Sequence, residues 1–161
     1  MRATRLNHVS IHALDLEESV RFYVEVFGLE RLPAPRFEHP VAWLRLGEQQ
    51  LHIFERRAGA PPFHHLALDV DDFQAAYVRA KELALVDPDA WSAPRELPDG
   101  SVQMYVRDPA GNLVEVDWPD VTTLDRSVVT DLRSLADDVS QDGDSLRATL
   151  YHARSEERSR A

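Results

Sequence analysis

The sequence contains no cysteine. That absence excludes disulfides, thiolate metal sites and a cysteine nucleophile, so nitrogen and oxygen atoms must hold any metal. The sequence also has no apolar run near the roughly 20 residues that cross a bilayer. Its first residues lead into strand-like sequence without the apolar stretch of a signal peptide. We therefore expect a cytoplasmic protein that does not bind membranes.

Positive charge is also scarce. The chain has 18 Lys and Arg against 28 Asp and Glu, which gives a formal net charge of -10 at pH 7. This charge repels phosphate backbones, and the basic residues form no single patch in the sequence. We expect a small-molecule partner and no nucleic acid. The 161 residues, 43% of them hydrophobic, suffice for one globular domain without crosslinks.

The first third of the chain has the pattern of a strand, a helix and three further strands. Residues 6–13 alternate in the way of a half-buried strand. Asp15 then caps an amphipathic helix that ends at Gly28. Three strand-like pieces follow, at 29–32, 41–46 and 50–55.

The same order of elements returns in the second third. A strand at 63–70 precedes a helix that Asp71 or Asp72 caps. Further strand-like pieces lie at 91–95, 101–107 and 112–118. His8 and His65 lie in equivalent strands, so the two halves are offset by 57 positions (65 − 8). The repeat predicts two paired modules, at about 5–56 and 63–118, within one domain at 1–119.

The last part of the chain, residues 120–161, lies outside the repeat. It carries apolar residues at helical spacing: Leu124, Val128, Leu132, Leu135 and Val139. This stripe predicts a helical C-terminal extension that covers the domain or a partner subunit and has a frayed end.

Four residues that suit metal binding occupy matching positions in the two halves. His8 and His65 lie on the first strand of each half, and His52 and Glu115 lie on the last. Imidazole and carboxylate ligands suit divalent Fe, Mn, Ni and Zn, and two His with one carboxylate are typical of non-haem Fe(II) oxygenases. Glu115 stands in apolar strand sequence, where a charge needs a cation or a strong partner. The pattern predicts a divalent metal site.

Five short motifs support a family resemblance over residues 5–118. They are NHVSI at 7–11, SVRFY at 19–23, FGL at 27–29, HLALDVDD at 65–72 and DPAGNLVE at 108–115. Together they resemble the vicinal-oxygen-chelate superfamily, which includes glyoxalase I, extradiol dioxygenases, methylmalonyl-CoA epimerase, and fosfomycin and bleomycin resistance proteins.

This resemblance implies a fold, a site and a partner. The fold is α+β, with two paired βαβββ modules that form an open, mostly antiparallel barrel around a metal. The implied ligands are His8, His65 and Glu115, with His52 near the fourth ligand position. The family also implies a homodimer.

The resemblance leaves the reaction open. We expect a dioxygenase that uses Fe(II) or Mn(II) on a catechol-like or other vicinal-oxygen small molecule, with His52 and Tyr105 as catalytic residues that move protons. The alternative is a glyoxalase I-type lyase or isomerase that uses Ni(II) or Zn(II), with His52 as a fourth metal ligand. A third possibility is a non-catalytic binding protein. The period-2 alternation predicts that His12 lines the pocket with His8 and that His64 points away from His65.

Overall fold

The computed structural model describes residue 2, residues 5–88 and residues 93–151, and it shows the predicted order of elements twice. The first module comprises β1 (His8–Ala13), α1 (Leu16–Phe27), β2 (Glu30–Leu32), β3 (Val41–Leu46) and β4 (Gln49–Glu55). The second comprises β5 (His65–Asp69), α2 (Phe73–Glu82), β6 (Arg95–Glu96), β7 (Val102–Arg107) and β8 (Leu113–Trp118). This order confirms the α+β class and the two βαβββ modules. The predicted strand at 91–95 lies partly outside the described residues.

Helix boundaries follow from local capping. The Asp15 side chain accepts a hydrogen bond from the Glu18 backbone at 2.8 Å, which satisfies a free N–H group of the first turn of α1. Gly28 ends α1 in the left-handed conformation, with φ of 66°. In the second module the cap is Asp72, which accepts from the backbone of Ala75 at 2.9 Å.

The first module forms a four-stranded sheet in the order β1-β4-β3-β2. β1 runs parallel to β4, and the other pairs are antiparallel. One face of this sheet packs under α1 through apolar side chains. Its buried members include Tyr23, Leu44, Leu51 and Ile53. The opposite face carries the histidines of β1 and β4. The sheet belongs to a compact unit made of Met1–Leu66 and Arg107–Val114.

The second module forms a sheet with the order β5-β8-β7-β6-β9, in which β9 (Arg133–Ser134) belongs to the C-terminal extension. β9 runs parallel to β6, with Arg133 opposite Arg95. Most of this sheet belongs to a second compact unit, Ala67–Val106 with Glu115–Ala161. The C-terminal extension thus completes the edge of that sheet.

The predicted helical stripe over 124–139 is largely wrong. Only α3 (Leu135–Asp138) is α-helical there, and short 3-10 helices lie at Val121–Thr123 and Gly143–Arg147. Side chains that bond to nearby backbone N–H groups compete with helix formation, as Asp125 does with Ser127 at 2.8 Å. Residues 152–161, which include the predicted frayed end, lie outside the described residues, and the domain boundary at 119 stays a prediction. Among the residues described, no helix has the length and apolar character to span a bilayer.

Candidate functional site

The ring of His52 lies between two other rings on the face of the first sheet that points away from α1. Trp43 is its neighbour across the β3–β4 pair, and the two rings stack with 4.3 Å between centroids and 6° between planes. On the other side the ring of His8 stacks with 4.2 Å between centroids and 17° between planes. Two of the predicted site residues, His8 and His52, are therefore in direct contact.

Hydrogen bonds orient the three site histidines differently. His8 Nδ1 pairs with Asn7 Oδ1 at 2.9 Å, and His65 Nδ1 pairs with the carbonyl oxygen of Phe63 at 3.1 Å. Since these oxygens accept, Nδ1 carries the hydrogen and Nε2 carries the lone pair in both rings. His52 is reversed, because its Nε2 pairs with Gln50 Oε1 at 2.9 Å and leaves the lone pair on Nδ1.

The environment of His52 favours its neutral form. Burial of the ring lowers the pKa of His52, and the neighbouring His8 lowers it further. A neutral imidazole has a lone pair with which it accepts a proton or binds a metal.

A cleft of about 240 Å³ lies beside β1 in the same unit. His12 and His65 both line it, and that His12 shares a pocket with His8 stays a prediction. His64 lines the cleft as well. That its side chain points away from His65 stays a prediction, because consecutive residues of β1, from Val9 to His12, line the cleft too.

The loop at 108–112, the most specific part of the family resemblance, has a structural role. Asp108 Oδ1 accepts from the backbone of Ala110 at 2.9 Å and of Asn112 at 2.8 Å. Asp108 Oδ2 accepts from the buried hydroxyl of Tyr23 at 3.1 Å. The Asn112 side chain donates to the carbonyl oxygen of His12 at 2.8 Å. The loop thus ties α1 to β1, and Gly111 supplies the φ of 84° that its turn requires.

Glu115 lies on β8 in the second unit and is only 3% exposed. Its Oε1 accepts a hydrogen bond from Gln103 Nε2, and its Oε2 accepts one from the Tyr105 hydroxyl at 2.7 Å. These donors satisfy the expectation that a buried carboxylate here needs a strong partner.

A second carboxyl group lies beside Glu115 on the same face of β8. Burial raises the pKa of Asp117 to about 8, and the charges of Glu115 and Asp69 add to the shift. Asp117 is therefore mostly protonated at neutral pH and shares a hydrogen bond with Glu115. This proton reduces the repulsion between the two carboxyl groups.

Sequence reasoning identified Tyr105 and Glu115 on this face but missed their neighbours Gln103 and Asp117. The available signal was the period of two along β7 and β8, because Gln103 and Tyr105 alternate with apolar residues, as Glu115 and Asp117 do. Polar residues on one face of two adjacent, mostly buried strands indicate a polar site rather than a core.

The C-terminal extension also reaches the second sheet. The Tyr151 hydroxyl donates to Asp69 Oδ1 at 2.7 Å, and the backbone of Leu150 donates to Asp99 Oδ2 at 3.3 Å. Asp138 Oδ2 lies 3.0 Å from Arg95 Nε. These contacts place the extension against residues of β5 and β6.

The predicted ligands have donor chemistry that fits a divalent metal. In His8 and His65 an acceptor at Nδ1 places the lone pair on Nε2, which is the usual tautomer of metal-binding histidines. Glu115 adds a carboxylate. Over residues 5–88 and 93–151, however, no three His, Asp or Glu side chains are grouped as a metal site.

Comparisons with known proteins agree with the fold. The family model described as Glyoxalase/Bleomycin resistance protein/Dioxygenase superfamily matches residues 5–116. Lactoylglutathione lyase from Agrobacterium tumefaciens has a similar structure, with a TM-score of 0.55 and 29% identity, over 72% of this chain and 94% of that one. Oxidase ChaP-H2 has a TM-score of 0.60 and 26% identity, over 74% of this chain and 99% of that one.

One relative among curated proteins is the mitochondrial methylmalonyl-CoA epimerase of Homo sapiens. It is 29% identical over 93 residues, which cover 48% of this chain and 53% of the human protein. The chain therefore matches about half the length of that relative. The family model ends at residue 116, before the C-terminal extension.

Proposed function

Since the chain belongs to the Glyoxalase/Bleomycin resistance protein/Dioxygenase superfamily, whose model matches residues 5–116, we propose that it is a metal-dependent enzyme for a small molecule with adjacent oxygen atoms. Its relatives include an epimerase, a lyase and an oxidase. Within this class we propose a dioxygenase for a catechol-like compound. The observation that carries this choice is the reversed hydrogen bonding of His52 relative to His8 and His65.

The proposed metal ligands are His8, His65 and Glu115, and the proposed ion is Fe(II) or Mn(II). Two imidazoles and a carboxylate suit these ions and leave positions open. When bound, such an ion acts as a Lewis acid for the adjacent oxygens of a substrate. The Nδ1 bonds of His8 and His65 support their part in this set because they place the lone pair on Nε2, the atom that would bind the ion.

His52 is the proposed proton carrier. Its Nε2–H group donates to Gln50, so Nδ1 is the atom that accepts a proton from a substrate hydroxyl. The rings of His8 and Trp43 hold the imidazole on both faces, which fixes the plane in which Nδ1 accepts.

Tyr105 is the proposed second catalytic residue. Its hydroxyl donates to Glu115 Oε2, and a phenolic oxygen accepts as well as donates, so we propose that it accepts a hydrogen bond from a substrate hydroxyl. Tyr105 thereby orients the proposed metal carboxylate and holds the substrate.

A glyoxalase I-type lyase or isomerase is the second candidate. It is favoured by the 29% identity to a lactoylglutathione lyase over 94% of that protein. This candidate uses Ni(II) or Zn(II) and makes His52 a metal ligand. The two candidates therefore differ in the role of His52.

One experiment separates the reactions. The protein is purified without oxygen, its metal is identified, and O2 uptake with a panel of catechols is measured beside hemithioacetal turnover. We expect O2 uptake from the wild type and none from Glu115→Gln, while the half-buried control Glu96→Gln keeps it. Hemithioacetal turnover without O2 uptake supports the lyase, and absence of both activities refutes both.

Sedimentation velocity tests the homodimer that the family resemblance implies, and cell fractionation tests the expected cytoplasmic location.

A further inference from the structure

Arg95 is a buried cation on the face of the second sheet that carries Glu115. It is the register partner of Gln103 across the β6–β7 pair, so both side chains leave the sheet on one face. Gln103 in turn donates to Glu115 on the next strand. The two strand spacings between β6 and β8 amount to about 10 Å.

The guanidinium of Arg95 has unused hydrogen-bonding capacity. The residue is 8% exposed, and its buried Nε and Nη1 atoms have no hydrogen-bond acceptor among the described residues. A buried charged donor without an acceptor is costly, so such a group calls for a partner. The planar fork of an arginine matches the two oxygens of a carboxylate.

A second arginine adds to the positive charge there. Arg133 of β9 is the register partner of Arg95 in the parallel β6–β9 pair, which places both cationic side chains on one face. Like charges side by side are unfavourable unless an anion lies between them. The pair therefore favours an anion.

Asp138 is an internal anion beside Arg95. Its Oδ2 lies 3.0 Å from Arg95 Nε, but this ion pair lacks hydrogen-bond geometry, since Nε stays without an acceptor. The Asp138 side chain is 46% exposed, so it can turn into solvent at little cost. Asp138 lies in the C-terminal extension, beyond the residues that the family model matches.

We propose that Arg95 binds a carboxylate group of the substrate and that this group replaces Asp138 as the counterion. The substrate class is thereby an aromatic or other vicinal-oxygen compound that carries a carboxylate. The proposal deepens the proposed function and rests on it in one point, namely that the face with Glu115 binds the substrate.

Anaerobic isothermal titration of the full-length, metal-loaded protein with benzoate and benzamide tests this proposal, because the two probes share a shape and differ in charge. We expect benzoate to bind about tenfold more tightly, as a charge-assisted bond predicts. Arg95→Gln is expected to remove the preference. The control Arg126→Gln, an exposed arginine of the extension that pairs with Glu96, keeps it.

Titration of the variant Asp138→Asn provides a second test of the proposal. Loss of the internal counterion is expected to tighten benzoate binding about tenfold and to leave benzamide unchanged. Circular dichroism verifies the fold of each variant, and if Arg95→Gln does not fold, Asp138→Asn alone decides.

The proposal is overturned if the wild type shows no preference for benzoate, including the case in which neither probe binds. It is also overturned if Arg95→Gln keeps the preference or if Asp138→Asn leaves benzoate affinity unchanged. These titrations require no turnover. A protein that binds benzoate through Arg95 yet consumes no O2 therefore refutes the dioxygenase and leaves the Arg95 site standing.

Discussion

The imidazole rings of His8 and His52 lie stacked, with 4.2 Å between their centroids. Their hydrogen bonds nevertheless engage opposite nitrogens, because His8 pairs through Nδ1 and His52 through Nε2. One ring thus has its lone pair on Nε2 and the other on Nδ1. This difference suits His8 as a metal ligand through Nε2 and His52 as a proton carrier through Nδ1.

Replacement of His52 by alanine is expected to lower kcat by about 10²–10⁴-fold with the metal retained, since a positioned proton carrier contributes about that much. O2 uptake and elemental analysis of the same preparation measure both quantities. His39→Ala is the matched control and is expected to keep activity and metal. Loss of the metal from His52→Ala contradicts the proton-carrier role and favours the lyase arrangement.

Replacement of Tyr105 by phenylalanine is expected to weaken metal binding by about 10–100-fold, because the hydroxyl holds the proposed carboxylate ligand Glu115. Competition with a chelating dye measures the affinity. Tyr77→Phe removes a hydroxyl that bonds to Asp131 instead and is expected to leave metal affinity unchanged. Equal affinities of wild type and Tyr105→Phe contradict the prediction.

Replacement of Tyr23 by phenylalanine is expected to lower the free energy of unfolding by about 1–2 kcal/mol, since a buried hydrogen bond to the Asp108 carboxyl is lost. Urea unfolding measures the change. Tyr151→Phe loses an exposed bond to Asp69 and is expected to change it by less than about 0.5 kcal/mol. A Tyr23→Phe variant as stable as the wild type shows that the loop at 108–112 does not depend on this bond.

Asp131 makes stability depend on pH in the acid range. Burial alone raises the pKa of Asp131, but hydrogen bonds from Lys81 and Tyr77 outweigh it, so the folded-state pKa is lowered. A lowered pKa contributes stability above the unfolded value of about 4 that is lost as pH falls through the folded value.

Asp131→Asn is therefore expected to have a lower Tm than the wild type at pH 7, and this difference is expected to shrink as pH falls below about 4. Thermal unfolding of both proteins across pH 2–7 measures this Tm difference. The pH values are chosen on both sides of the usual aspartate pKa of about 4. A Tm difference that stays constant over this range refutes the linkage to Asp131.

Much of the fold was predictable because local signals agree with the tertiary structure. Asp15 and Gly28 bound α1 as capping residues do, and β3 at Val41–Leu46 has the predicted limits. The prediction of a helical extension was wrong because it rested on the spacing of apolar residues alone. The side chains of Asp120 and Asp125 bond to nearby backbone N–H groups, and these bonds compete with a helix.

The site was predictable in its residue types but not in its bonds. Matching positions in the repeat identified His8, His52, His65 and Glu115, yet no sequence pattern shows which nitrogen of a ring is engaged. Arg95 gave no signal either, because its burial depends on register with Gln103 and on an extension that lies in the chain after position 116. Such features require the packed structure.

The metal content of purified protein decides whether His8, His65 and Glu115 bind a divalent ion. Elemental analysis after anaerobic purification is expected to find one Fe or Mn ion per chain in the wild type and in the controls His39→Ala and Glu96→Gln. It is expected to find far less in His8→Ala, His65→Ala and Glu115→Gln, provided each variant is folded by circular dichroism. Full metal occupancy in these three variants, or a folded wild type that binds no divalent metal, contradicts the proposed metal site.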